Sequence, residues 1–280
     1  MIKQLIVILV ATIVAIPICA NDEIFSIVEN PEIPTKIEFA GQTISFDRID
    51  MYERLDRELT SMIYTHGTTL LLIKRANKYF PILAPILKKH GVPLDILYLA
   101  CIESTLNIRA YSPAKAAGLW QFIASTGKQY GLEINDYVDE RYHIEKATDA
   151  ACRYLKKAYN EYGNWETVMA SYNAGRAGIS KRLENQMATS SFDLHLVDET
   201  SRYVFRIIAA KLILENPTKY GFRLSRKQLY QPIEYKTIEV TGSIDDWAVW
   251  AKEQGITYAP LREHNQWIRS RKLVNETNKK

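Results

Sequence analysis

The sequence predicts an all-α protein carrying a small mixed α and β appendage at its C-terminal end. Three observations carry this reading. Between residues 50 and 214 apolar side chains return at helical spacing, as in Met51, Leu55, Leu59, Met62 and Ile63. Turn residues, among them Gly131, Gly163-Asn164 and Asn216-Pro217, punctuate that pattern at helix-length intervals. Beyond residue 222 the pattern changes, and Tyr235 to Val240 alternates with the period of two that marks a strand.

In chain order, residues 1–20 read as a secretory signal peptide: Lys3 precedes an apolar run from Leu5 to Ile18, and Cys19-Ala20-Asn21-Asp22 offers cleavage after Ala20. At about 14 residues the run is short for a membrane span, so an uncleaved anchor is the lesser alternative. Cys19 raises lipidation as another, opposed by Pro17 and Ile18 where a small residue is needed. Either alternative associates the protein with a membrane. Residues 21–45, with Pro31 and Pro34, read as an extended arm. Helices follow from Asp50 through Ile63, from Leu70 to Tyr79 and from Pro81 to His90. The next starts at Pro93, whose ring suits a first helical turn, and its run Leu94 to Ile102 is apolar almost all round, so it belongs in the core. Ala116 to Tyr130, Ile144 to Tyr162, Trp165 to Asn173, Gly175 to Asn185 and Thr200 to Leu214 complete the main helical set. In the tail, Thr241-Gly242 turns and Ser243 caps a helix from Ile244 to Gln254. A last short helix covers Tyr258 to Asn265.

At 47% hydrophobic and 24% charged the chain has ample material for a core. Cys101 and Cys152 sit on predicted helices without a framework pattern, and read as free core thiols rather than a disulfide. The five His residues show no HExxH or Cys/His ligand spacing, so no metal and no cofactor is expected. Ser125-Thr126-Gly127-Lys128 is similar to the end of a phosphate loop, but Phe122 stands at the required Gly and Gln129 at the required Ser or Thr. No G-x-S-x-G nucleophile elbow occurs. Nucleotide binding and serine hydrolysis are set aside, and no nucleic-acid partner is expected.

Glu103 ends the apolar run. A carboxylate there meets the negative end of the helix dipole and low-dielectric packing, and both raise its pKa. Such an acid keeps its proton near neutral pH and can donate it to a leaving oxygen. A solvent-facing helix-end Glu is the alternative. From Ser104 to Leu132 there is no Asp or Glu, so the loop that follows supplies no second carboxylate. Asp136, Asp139, Glu140 and Glu145 remain candidates to approach in space, as a conventional retaining or inverting glycosidase pair requires.

After Glu103-Ser104 come Gly118-Leu119-Trp120-Gln121-Phe122, Ala170-Ser171-Tyr172-Asn173-Ala174-Gly175, and Glu199-Thr200-Ser201-Arg202-Tyr203-Val204. In order and spacing these blocks resemble the lytic transglycosylase domain of the goose-type lysozyme superfamily, and within it the membrane-bound lytic murein transglycosylase D family, over roughly residues 45–222. The resemblance implies a lysozyme-like catalytic domain at residues 46–222, acting on peptidoglycan glycan strands in the periplasm. It implies one acid, Glu103, that protonates the oxygen between N-acetylmuramic acid and N-acetylglucosamine. The same residue then draws a proton from the muramic acid C6 hydroxyl as a 1,6-anhydro ring closes, so neither water nor a second carboxylate is needed. By the same resemblance Ser104 orients the acid or its substrate, and Gln121 hydrogen-bonds sugar amides. Gly118 lets the backbone pass close to the glycan, Tyr172 and Asn173 line the cleft, and Tyr203 donates near the acid or the acetamido group. Trp120 replaces the usual Met and is compatible with sugar stacking, while Glu199 has a less defined part. A hydrolytic muramidase on the same fold and an inactive wall-binding protein are the alternatives.

Residues 223–280, strand then helix then helix, resemble a LysM-like module whose closing strand is missing or degenerate, or else simply pack on the main domain. From Phe222 to Lys280 eleven Arg and Lys stand against seven Asp and Glu, so the whole net charge of +4 lies there. A basic tail suits an anionic wall polymer.

Overall fold

A computed structural model describes residues 30–275. The signal peptide, the start of the arm and the last five residues, 276–280, lie outside the described residues. Within them the chain is mostly helical, as the sequence predicts.

The first departure is in the arm. Lys36–Phe39 (β1) and Gln42–Ser45 (β2) pair antiparallel, with Lys36 opposite Ser45 and Phe39 opposite Gln42. Ala40 and Gly41, both at positive φ, make the tight turn whose twist matches paired strands. Ile37, Phe39, Ile44 and Phe46 are buried, so this stretch is a hairpin folded on the core and not an extended arm. The turn is tied to the main body where the Ala40 N–H donates to Asp95 at 2.6 Å.

Helix α1 (Ile49–Tyr64) buries Met51, Leu55 and Leu59, one helical turn apart. Helix α2 (His66–Lys89) is continuous where the sequence predicts two helices meeting near Pro81. Pro81 and Pro85 sit on its exposed face, while Leu72, Ile73, Ala76, Tyr79, Leu83 and Leu87 form one buried stripe across them. An interior proline costs about 3 kcal/mol, and burying Leu83 and Leu87 returns about 1.5–3 kcal/mol each, so packing holds the axis together.

Pro93 precedes a single tight turn, Leu94–Ile96, which leads into α3 (Leu97–Ser104). Leu97 to Cys101 are all buried, as expected of a helix apolar on every side. The predicted helix 116–130 shrinks to α4 (Ala124–Gln129). Residues 110–122 form a loop held by bridges from Ala117 to Tyr111 and to Phe122. Lys115, Gly118 and Gln121 have φ of 62°, 78° and 47°, which an α-helix does not accommodate.

Helices α5 (Ile144–Tyr162), α6 (Trp165–Ala174), α7 (Arg176–Asn185) and α8 (Asp198–Glu215) lie close to their predicted bounds. Helix α8 runs through the middle, packed by α1, α3 and α6, and buries Tyr203, Val204, Phe205, Ile207 and Ile208 among others. Cys101 and Cys152 are buried free thiols.

In the tail, Tyr235 to Val240 forms no strand and is largely exposed; among the described residues it joins no ladder. Helix α9 (Trp247–Glu253) starts three residues later than predicted, capped by Asp246, whose carboxylate accepts from the Ala248 N–H at 2.7 Å. Ile244 instead pairs with Leu273 as an antiparallel bridge, the trace of the closing strand that the sequence left open. Ser243 accepts from the Asn275 N–H rather than capping the helix. With α10 (Tyr258–His264), Trp247, Ala251, Leu261 and Ile268 enclose a small second core. Among the described residues no helix is long and apolar enough to cross a membrane.

Candidate functional site

Glu103 stands in the last turn of α3, where Thr105 and Leu106 then take left-handed conformations and turn the chain sharply away. The residue keeps some solvent contact, yet its carboxyl lies among dense protein atoms. That burial raises its pKa from 4.5 to about 7; a hydrogen bond donated by the Tyr203 hydroxyl opposes the rise, and the nearby charge of Glu199 adds to it. Tyr203 comes from the middle of α8 and is itself buried, which holds its phenol protonated as the donor. The long-range pairing of α3 with α8 thus creates an acid that titrates near neutrality.

The four carboxylates that the sequence leaves as partners are engaged elsewhere or exposed. Asp139 pairs with Arg141 at 2.8 Å, Glu140 with Lys146, and Glu145 with His143 and Tyr235, which hold its pKa down at about 2. Asp136 is exposed. Glu199, one turn before Tyr203 on α8, is the carboxylate whose field reaches Glu103.

Ser104 is buried. Its hydroxyl bonds the Ala100 carbonyl at 3.2 Å and the Leu119 carbonyl at 2.9 Å, tying the end of α3 to the 110–122 loop. In that loop Gly118 faces a neighbouring backbone: a Cβ built there would stand 1.9 Å from the Arg141 carbonyl oxygen. Only glycine fits, for a packing reason that differs from the expected approach of a glycan. Trp120 is likewise no stacking platform, being 0% exposed, with its indole N–H donating to Thr148 at 2.9 Å. Gln121 is half-buried, and its amide nitrogen donates to the Gly118 and Ala110 carbonyls at 2.8 and 3.3 Å, which fixes the plane of the amide.

Tyr172, on α6, donates to the Trp120 carbonyl at 2.6 Å; burial, and then the field of Glu103, push its phenol pKa up and keep it protonated. Its ring packs edge-on against Tyr154 and tilts against Phe122. Asn173 accepts from the Thr200 hydroxyl at 2.9 Å, joining α6 to α8. The structure therefore brings Glu103 and Tyr203 together directly, sets Tyr172 within the field of Glu103, and joins Ser104, Gln121 and Asn173 to this group through the backbone of the loop and through Thr200. Sequence reasoning missed the buried Asp139–Arg141 pair beneath the loop, and no local pattern marks it. Among the described residues no group of three or more His, Cys, Asp or Glu stands together as a metal would need. Two surface grooves, of about 430 Å³ between α2, α3 and residues 217–229 and of about 380 Å³ beside the hairpin, have linings that exclude Glu103.

The site thus combines an acid at the end of a buried helix, a tyrosine donor from a central helix and a loop tied to the acid's helix and to α6. Residues 81–194 match the family model of the transglycosylase SLT domain, and residues 236–280 that of the soluble lytic transglycosylase C-terminal LysM-like domain. The chain carries an SLT domain followed by a LysM-like module. The SLT match takes in Glu103 through Asn173 and ends before Tyr203.

Among individual relatives, it is 29% identical over 235 residues to membrane-bound lytic murein transglycosylase D of Escherichia coli (strain K12), covering 79% of this chain and 48% of that one. The protein of the same name from Escherichia coli O6:H1 matches to the same extent. The chain spans about half the length of these curated relatives. Solved structures similar to parts of it include the 70 kDa soluble lytic transglycosylase of Escherichia coli, with 22% identity, a TM-score of 0.40 and coverage of 54% of this chain and 27% of that one. The lytic transglycosylase Slt of Pseudomonas aeruginosa, solved as an inactive mutant, matches at 19% identity with a TM-score of 0.41, covering 54% and 26%.

Proposed function

We propose that this chain is a peptidoglycan lytic transglycosylase that works with one acid, Glu103. The observation that carries the reading is the Glu103 carboxyl, whose pKa near 7 lets it donate a proton and later accept one at the same pH. In the first step it protonates the oxygen between N-acetylmuramic acid and N-acetylglucosamine. In the second, as a carboxylate steadied by Tyr203, it takes the proton of the muramic acid C6 hydroxyl while that oxygen closes on C1. The nucleophile belongs to the substrate, so proximity does the work that a second carboxylate does in a hydrolase.

Gln121, its amide plane set by its own loop, contacts the sugar amides. Asn173 and Tyr172 line the cleft, and Ser104 and Gly118 hold the loop in place. The catalytic domain runs from residue 46 to 222, and the basic LysM-like module from 223 onward retains the protein on wall polymer. Export through the signal at residues 1–20 brings the enzyme to the periplasm. What supports the reading is the joint presence of an SLT domain, a LysM-like module and the Glu103–Tyr203 pair.

Digestion of purified sacculi followed by mass spectrometry tests it. Muropeptides lighter by one water than hydrolytic products are expected, and they disappear with Glu103→Gln. Reducing ends throughout refute ring closure and indicate a muramidase, and full turnover by the variant shows that another group is the acid.

A further inference from the structure

The LysM-like module meets the catalytic domain along a short paired seam. Val138 and Ile268 form an antiparallel bridge, flanked by the Asp139 N–H donating to the Trp267 carbonyl and the Arg269 N–H donating to the Tyr137 carbonyl, both at 2.8 Å. Trp267 stacks on His143 with centroids 5.7 Å apart. Both backbone and side chains therefore fix the module at this edge.

Beneath the seam lies a fully buried carboxylate. Asp139 accepts from Arg141 Nε at 2.9 Å and Nη2 at 2.8 Å, and its Oδ2 is shared with Arg269 Nη1 at 3.2 Å. Arg141, also buried, turns its remaining amino group inward. Its Nη1 donates to the Lys115 carbonyl at 2.8 Å and the Phe122 carbonyl at 3.0 Å, so one guanidinium grips both ends of the segment that contains Gln121. The backbone of Arg141 presses against Gly118 from the same side. A continuous relay of charge-assisted hydrogen bonds, Arg269 to Asp139 to Arg141 to the loop, joins the module to the candidate sugar site. A carboxylate with no water access is oriented only by the groups that bond it, and Arg269 is the one that the module supplies.

We propose that Arg269 is a positioning residue: through Asp139 and Arg141 it holds residues 115–122, and Gln121 with them, in the conformation that binds substrate. The module thereby acts on the catalytic loop as well as on the wall. The clause about substrate rests on the transglycosylase reading, whereas the mechanical link does not.

The test uses the full chain with Arg269→Gln and Arg269→Lys. Amide hydrogen exchange is expected to rise at least threefold within residues 115–122 in the Gln variant, with α8 exchange and the melting temperature unchanged. The Lys variant should recover at least half of the protection. On uncrosslinked glycan strands the Gln variant should show a three- to tenfold higher KM at nearly constant kcat. Exchange in 115–122 that is the same in the Gln variant as in the parent, or a Lys variant no better than Gln, overturns the proposal. Exchange needs no turnover, so a parent chain inert toward glycan strands refutes the transglycosylase reading while the exchange data still decide the link.

Discussion

Replacing Glu103 by Gln should make the protein more stable above pH 7, not less. Burial lifts the Glu103 pKa from 4.5 to about 7, so between those values the folded chain holds a proton that the unfolded chain has released. Stability therefore falls as pH rises through this window and stays lower above it. The rise amounts to about 3 kcal/mol at about 1.4 kcal/mol per pH unit, an upper bound because the residue retains some solvent contact. A neutral amide of the same shape resembles the protonated acid, and its oxygen can still accept from Tyr203. The variant should match the parent near pH 4 and exceed it by up to about 3 kcal/mol at pH 8, roughly 6–12 °C in melting temperature for a domain of this size. Thermal and urea denaturation of both proteins at several pH values measures this. A Gln variant equal to or weaker than the parent at pH 8 refutes the argument that burial strains the ionised acid.

Removing the Tyr203 hydroxyl with Tyr203→Phe takes away the bond that favours the carboxylate, so the alkaline limb of the pH–rate profile should move upward and kcat should fall by about tenfold or more; a profile that stays or moves downward contradicts the assigned donor. Gly118→Ala should cost at least about 2 kcal/mol, since it meets both a positive φ and the Arg141 carbonyl, and denaturant titration would reveal an unexpectedly tolerant site. Trp120→Phe should cost about 2 kcal/mol through the lost bond to Thr148 and the vacated volume, yet leave KM for glycan strands unchanged; a large KM increase would restore Trp120 as a sugar contact.

Much of the fold was legible because helical periodicity is local. The stripes on α1, α5 and α8 report which face is buried before any partner is known. Reading failed where a distant partner decides the outcome. Pro81 marks a break by local rules, but the stripe through Leu83 and Leu87 carries α2 past it. Tyr235 to Val240 alternates as a strand does, yet among the described residues it joins no strand ladder. The hairpin at 36–45, expected as an extended arm, is fixed by Ile37, Phe39, Ile44 and Phe46 packing on a core that lies far along the chain.

The candidate site divides in the same way. Glu103 stands out in the sequence as an acid closing an apolar helix, and the blocks that follow it, not the helix alone, set it apart from an ordinary helix-end carboxylate. Its pairing with Tyr203 across one hundred residues required α3 to pack on α8. The roles of Gly118 and Trp120 came only with the fold, since the same glycine or indole serves a ligand or a neighbouring backbone according to what lies opposite it. Residue types and their order determined that this chain would be helical and would carry an acid. Which carboxylates are neutralised, which donors face that acid and what holds the loop beside it are long-range contacts, set by tertiary packing because burial and field strength belong to the assembled interior and not to any segment.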